Sequence, residues 1–383
     1  MKKIILITFI TILYNTIVAQ NTPRIGKINE LEIANWNLEW FGKTTAGFGP
    51  SDDALQQANV LKVIQNADID LWAFCEVCKL SVLDSMMQKL PNYDYKICNY
   101  SQEQKTAFIY KKNLFTFIDA QLLGTQYPDS FSTRRFPFSI RLKLNSDSFF
   151  IGLDTLQAIV LHLKANVGND IEKLAAYNSR IRSANWIKMY LNQNKQKSII
   201  ILGDWNDDID ESIYNSLPSP FAQLDNKQDY LYLTKRLTQN NEGTTTGFPS
   251  TIDHQLGTNY LASHWQTDTC KRLKLEPYIT NYSTTTSNHY PVYSRFNIRI
   301  LDIKNPRILN FKLYPNPTNS VINIEGLSNF NYTINNTLGK AILSGKCYNS
   351  QINIDVIPNG IYTILIEKEG IYKKQMFVVS HSF

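Results

Sequence analysis

From about residue 30 to 300, two patterns of apolar residues take turns along the chain. "LEIANWNLEW" (31–40), "IDLWAFCE" (69–76), "LQAIVLHLKA" (156–165) and "SIIILGDWN" (198–206) are alternating or continuous apolar runs that predict strands. "DDALQQANVLKVIQNA" (52–67), "SVLDSMMQKL" (81–90) and "DIEKLAAYNSRIRSANWIKMYLNQN" (170–194) repeat apolar residues at helical spacing, the first with Ser51 or Asp52 as its cap. "YDYKIC", "KTAFIYKK", "FPFSIRLKL", "STIDHQL" and "HYPVYSRFNI" add short strands. The stretch 208–250 is loop-rich, and "NEGTTTGFPS" (241–250) reads as flexible. Strands mixed with helices in this order predict an α/β or α+β sandwich.

The pattern changes near residue 305. Beyond a Pro- and Asn-rich turn, "VINIEG", "NYTINN", "KAILSG", "QINIDV", "GIYTILIEK" and "KKQMFVV" are short strands with no helical period, as in a small all-β sandwich. The expected organisation is a signal peptide (1–20), a main domain (21–300), a linker (301–310) and a C-terminal β domain (311–383). The signal peptide is read from two lysines, an apolar run and Ala19 in "MKKIILITFITILYNTIVAQ", a segment too short and loosely apolar to span a bilayer. No later run is long and apolar enough to cross one. A chain of 383 residues, 43% hydrophobic and 12% aromatic, excludes general disorder, and a net charge of +6 leans weakly toward an anionic partner.

Export places Cys75, Cys78, Cys98, Cys270 and Cys347 where disulfides form. In a straight strand Trp72, Phe74 and Glu76 share one face while Leu71, Ala73 and Cys75 share the other, so Cys75 and Glu76 cannot chelate one metal together. A Cys75–Cys78 bridge needs a sharp turn after Glu76, and Cys98 is a comparable partner. A structural disulfide within this trio and unpaired bystander thiols both stay open, and redox or zinc chemistry lacks convergent ligands. Glu76 then stands as a carboxylate at a strand end, where ligand sites of α/β sheets gather. Other strand ends carry polar groups too: Asn37, His162, Asp204 with Asn206, Asp253, and Asn288 with His289.

Taken in order, "NWNLEWFG", "DIDLWAFCEV", "RRFPF", "VLHLKA", "ILGDWND", "STIDHQL" and "SNHYPV" resemble the motifs of the endonuclease/exonuclease/phosphatase superfamily, of the deoxyribonuclease I type, over about residues 30–297. The resemblance implies a four-layer α/β sandwich: two mostly antiparallel central sheets packed face to face, helices outside, the active site at one edge. It implies that Glu76 is the main ligand of Mg²⁺ (Mn²⁺ or Ca²⁺ as alternatives), with Asn37 beside it. His289 becomes the general base and Asp253 its orienting partner, while Asp204 and Asn206 position the nucleophile and scissile phosphate. His162 donates to a phosphate oxygen, and Arg135 contacts substrate from a strand near the cleft. The family's Ser-Asp-His reads Ser287-Asn288-His289 here, so Asn288 offers the metal a carbonyl oxygen without charge. The glutamate that assists the second histidine falls at Glu103 or Gln104.

The C-terminal residues "LYPNPTNSVINIEG", "PNGIYTILIEKEG" and "YKKQMFVV" resemble a type IX secretion sorting domain, with a carbohydrate- or protein-binding sandwich as the alternative. The expectation is a secreted, monomeric, Mg²⁺-dependent phosphodiesterase that hydrolyses extracellular nucleic acid and engages the type IX secretion machinery. A phosphatase or sphingomyelinase-type phospholipase on the same site is one alternative. A surface-binding protein weakened by Asn288 is another.

Overall fold

The computed structural model describes residues 21–27, 30–131, 134–145, 155–225, 228–297, 309, 311–337, 339–368 and 371–381. The expected signal peptide (1–20) and, apart from Leu309, the expected linker (301–310) lie outside the described residues. The chain divides into two units, Met1–Leu301 and Asp302–Phe383.

Leaving aside helices of five residues or fewer, the first unit runs β1 (Glu30–Phe41), α1 (Asp53–Ala67), β2 (Leu71–Val77), α2 (Leu80–Met87), β3 (Tyr93–Ile97), β4 (Lys105–Lys111), β5 (Phe115–Leu122), β6 (Phe138–Leu144), β7 (Thr155–His162), α3 (Asp170–Gln193), β8 (Ile199–Asp204), β9 (Tyr230–Tyr232), β10 (Asp253–Thr258), β11 (Lys271–Arg272) and β12 (Val292–Asn297). Its strands form two six-stranded sheets, ordered β11-β12-β1-β2-β4-β3 and β5-β6-β7-β8-β10-β9. Each holds one parallel pair, β1–β2 and β7–β8, and each pair is joined by a crossover through a helix, α1 or α3. The other pairings are antiparallel.

Strand alternation builds the layers. Leu71, Ala73 and Cys75 of β2 pack with Ile140, Val160, Ile200 and Leu202 of the second sheet, while Trp72 and Phe74 pack with Val60, Val63, Ile64 and Leu83 of α1 and α2. Ile159, Leu161, Ile199 and Ile201 turn outward onto Ala184, Ile187 and Leu191 of α3. The order is helices, sheet, sheet, helix: the four-layer α/β sandwich. Asp52 caps α1, its Oδ1 accepting from Leu55 N at 2.9 Å, and Asn169 and Glu172 form a capping box at the start of α3.

Three expectations change. No disulfide forms: all five cysteines are free thiols, with Cys75 Sγ donating to Leu161 O at 3.3 Å and Cys98 Sγ accepting from Thr106 N at 3.2 Å. β5 was not expected; it is an edge strand with only Phe115 of its eight residues buried, so its apolar signal is weak. Residues 241–250, read as flexible, are tied down. Thr244 Oγ1 accepts from Ile252 N and Asp253 N, both at 3.1 Å, and Thr246 N donates to Asn288 O at 2.8 Å.

Near the starts of β1 and β2, Glu32 and Asp70 face each other, with Lys111 3.0 Å from Asp70 and Arg295 3.4 Å from Glu32. Burial, with Asp70 beside it, pushes the Glu32 carboxyl up from 4.5 to about 8. Between those values the folded chain holds a proton that the unfolded chain has released, so stability falls as pH rises from about 4.5 to 8. Glu32→Gln is expected to remove that fall, gaining on the order of 2 kcal/mol at pH 8.5 and nothing near pH 4. Thermal melts across this range check it; parallel pH curves for the two proteins would refute it.

The second unit is all-β: β13 (Lys312–Tyr314), β14 (Val321–Glu325), β15 (Phe330–Asn336), β16 (Ala341–Cys347), β17 (Gln351–Asn353), β18 (Gly360–Lys368) and β19 (Ile371–Val379). They make a three-stranded and a four-stranded sheet around Ile322, Ile324, Ile334, Ile352, Ile364 and Phe377.

Candidate active site

In the second sheet, strand register sets the first half of the site. His162 at the end of β7 lies opposite Asp204 at the end of β8, which lies opposite Asp253 at the start of β10. Residues directly opposite share a face, so all three point between the sheets. Gly203 allows this approach: its φ is +126°, and a Cβ there would stand 2.2 Å from Leu161 O. After Asp204, Trp205 buries its ring outward against Phe221, Tyr232 and His254. Asn206, at φ +54°, donates its backbone N–H to Asp204 Oδ1 (3.0 Å) and its amide to Leu163 O (3.1 Å).

The first sheet supplies the second half by breaking its own alternation. Straight geometry sends Glu76 to the helix side with Trp72 and Phe74. Instead, register shifts interrupt the pairing of β2 with β1 and β4, and Glu76 sits at φ +64° within the break. Its carboxylate thereby reaches the gap between the sheets, 3.5 Å from His162 Nε2. Asn37 clamps the two halves, its Nδ2 donating to Glu76 Oε1 and Asp204 Oδ2, both at 3.0 Å. Its Oδ1 accepts from Glu39 N at 2.9 Å, so Asn37 fixes the acids rather than opening a free oxygen toward them.

His289 precedes β12. Trp36 Nε1 donates to its carbonyl at 3.1 Å, and Ser287 Oγ accepts from its N–H while donating to Asn37 O. The ring meets Asp253 Oδ2 through Nδ1 at 2.8 Å and has Nε2 3.9 Å from Asp204 Oδ2. Although burial opposes the charged ring, Asp253, Asp204 and Glu76 together raise His289 to about 10. Burial, with Asp253 and Glu76 nearby, lifts Asp204 to about 7 against the pull of His289 and Asn37.

Arg135 lies in a loop just before β6, not on a strand, and only 8% of it is exposed. One Nη1 stands 2.9 Å from both ring nitrogens of His162 and from Gln104 Oε1, and Nη2 donates to Leu163 O at 2.9 Å. Burial and the Arg135 cation hold His162 well below its usual range, hence neutral. Glu76 and Asp204 stand 3.5 and 3.7 Å from Nε2, and Arg135 Nη1 is equidistant from the two ring nitrogens. Gln104, not Glu103, therefore reaches the histidine, through Arg135; Glu103 pairs with Lys43 at 2.5 Å.

Asn288 is brought to the site by its backbone, with its side chain exposed: its N–H donates to Glu39 Oε2 at 2.7 Å. Sequence reading missed Glu39. Its only signal was an acid two residues after Asn37, and its pKa is raised by burial. Two groups, Glu76–His162–Asp204 and Asp204–Asp253–His289, bring their donor atoms within 4.8 Å of one another. Among the described residues, the basic groups within ion-pair reach of Glu76 and Asp204 are the two histidines. Converging acids with so little countercharge fit a divalent cation. Asp253 (0%), Asn37 (1%), Asp204, His162, His289, Asn206, Arg135 (8%) and Glu76 (9%) are all buried.

Residues 34–270 match the Endonuclease/Exonuclease/phosphatase family, and residues 312–380 match the Secretion system C-terminal sorting domain. No curated protein matches the chain. Among solved structures it is similar to an endonuclease/exonuclease/phosphatase family protein from Bacteroides thetaiotaomicron (17% identity, TM-score 0.46, 72% of this chain and 100% of that one). It is also similar to the human Nocturnin catalytic domain with bound sulfate (13%, 0.48, 71% and 96%) and to D. rerio TDP2 complexed with single strand DNA product (13%, 0.45, 70% and 99%).

Proposed function

Given that the chain belongs to the endonuclease/exonuclease/phosphatase family, we propose that it is a divalent-metal-dependent phosphodiesterase acting on extracellular nucleic acid. Its C-terminal sorting domain marks it for type IX export to the cell surface or the extracellular space. Among the described residues no helix is long and apolar enough to cross a membrane. The observation that carries the reading is that the His289–Asp253 pair converges with Glu76, Asp204 and His162 in the gap between the sheets. A binding surface has no need of a buried acid–base pair at that place.

In this reading His289 Nε2 takes a proton from the water that attacks phosphorus, and Asp253 holds the resulting imidazolium by its Nδ1–H. His162, neutral, donates its Nε2–H to a phosphate oxygen, steadied by Arg135 and Gln104. Asn206 and Asp204 fix the water and phosphate between them. Glu76 and Asp204 are the acids that would hold a divalent cation, with Glu39 beside them on the Asn288 backbone. When bound, such a cation would supply Lewis acidity toward a phosphate oxygen and would offset the charge of those acids beside His289.

The test is supercoiled plasmid incubated with the full chain and Mg²⁺. Nicking that stops with EDTA and returns with added Mg²⁺ is the expected result, and no nicking under any divalent ion would sink the nuclease reading. One observation favours phospholipid as a second substrate class. Val167 (59% exposed), Ile171 (81%) and Leu174 (45%) are exposed aliphatic residues on the loop after β7 and the start of α3. Hydrolysis of phospholipid vesicles in the absence of nicking would select it.

A further inference from the structure

β1 does not end as a strand should. Glu39 and Trp40 both adopt left-handed backbone, φ +49° and +56°, which is costly for two consecutive side chains bearing a Cβ. The distortion aims Trp40 N–H at Glu76 Oε2, 3.0 Å away, and sends the indole outward. The following loop returns to meet it: the Phe48 ring lies 4.7 Å from that of Trp40, tilted by 57°, and Phe48 is 41% exposed. Gly49 locks the return. At φ +65°, a Cβ there would stand 2.7 Å from Glu39 O and 3.0 Å from Trp40 Cβ, so any other residue would lift Phe48 away.

Neither ring belongs to the hydrophobic clusters of the sandwich. A strained, glycine-fixed pair of half-open aromatic rings beside the principal site carboxylate therefore has no packing role that accounts for it. Its rim is charged, by Lys43, which lies 5.4 Å from the Phe48 ring centre and pairs with Glu103, and by Glu39. Flat π surface edged by charge suits an aromatic base on a phosphate chain better than a lipid tail, and the exposed aliphatic residues stand on a different loop.

Resting on the nucleic-acid reading above, we propose that Trp40 and Phe48 form a stacking subsite for an unpaired nucleobase flanking the scissile phosphate. The preferred substrate is then single-stranded or locally melted, because bases inside a duplex have no free face to offer.

The experiment uses the full chain carrying His289→Ala, so that binding is read without turnover. A labelled thymidine 15-mer and an abasic 15-mer with the same phosphates are titrated by fluorescence anisotropy in Mg²⁺. The thymidine strand is expected to bind roughly tenfold tighter, as one or two stacked bases provide. Adding Phe48→Ala or Phe48→Leu should erase that margin while abasic binding holds, and Phe48→Trp should keep it. Equal loss on both strands, or no loss on either, would overturn the subsite. If phosphatidylcholine vesicles, rather than thymidine, lose affinity on Phe48→Ala, the pair is a lipid contact and the proposal falls. If the chain with His289 intact nicks no plasmid and cleaves no oligonucleotide, and neither strand binds, the nucleic-acid reading fails and takes the subsite with it.

Discussion

His289→Ala is expected to slow phosphodiester hydrolysis by about three orders of magnitude, within the range by which positioned acid–base groups contribute. No other described group can take over, because the ring is the one basic group bonded to Asp253, at 2.8 Å, while His162 is engaged by Arg135. The variant also loses the imidazolium that three acids hold up to about 10. A folded-state pKa above the ordinary 6.5 means that this stabilisation is complete below pH 6.5 and disappears as pH rises through about 10. The metal-free variant should therefore melt below the parent at pH 7 and approach it above pH 10. Nicking rates with Mg²⁺ and melts in EDTA measure the two effects separately. A variant that nicks within threefold of the parent would remove His289 from the chemistry.

Arg180→Met should cost about 3–5 kcal/mol of stability without touching any group proposed to meet substrate. Arg180 is wholly buried in α3, its Nε donating to Asp207 and its Nη1 to Lys164 O, both at 2.9 Å. Asp207 also accepts from Ser212 Oγ and Ile213 N, so the acid cannot swing out to water when its cation is removed. What is lost is less the pair's own energy than the charge it leaves stranded. Adding Asp207→Asn should recover part of the loss, since the amide keeps an acceptor and drops the charge. For a domain of this size the single variant corresponds to a fall of about 10 °C. Calorimetric melts of the single and double variants decide it, and a double variant no better than the single would refute the stranded-charge account.

The parts of the site that sequence made legible are those where local pattern and final position coincide. Continuous apolar runs mark β7 and β8 as buried strands and His162 and Asp204 as polar groups at their ends. Both faces of these strands are buried, so only the register shows that the two groups point between the sheets. A cap at Ser51 or Asp52 was legible because capping is local, and the structure selects Asp52. Glu76 was legible as a strand-end acid but not in its direction, because a bulge and a positive φ at a residue other than glycine leave no mark in composition. Glu39 and Gln104 act through contacts made far along the chain, to Asn288 N and to Arg135, and periodicity says nothing about such partners. β5 carries too few buried residues to announce itself, and the cysteines lie near one another in sequence without meeting the geometry of a bridge.

The second sheet is built from one uninterrupted stretch, β5 to β10, whereas the first waits for β12, whose Asn297 pairs with Glu30 at the other end of the unit. Until that last strand arrives, β1 has an open edge. The topology therefore leaves the first sheet dependent on the last strand of the unit, next to the loop that carries His289. A chain that stops before His289 carries Asp204, His162 and Asp253 in the second sheet but lacks the ring that Asp253 holds.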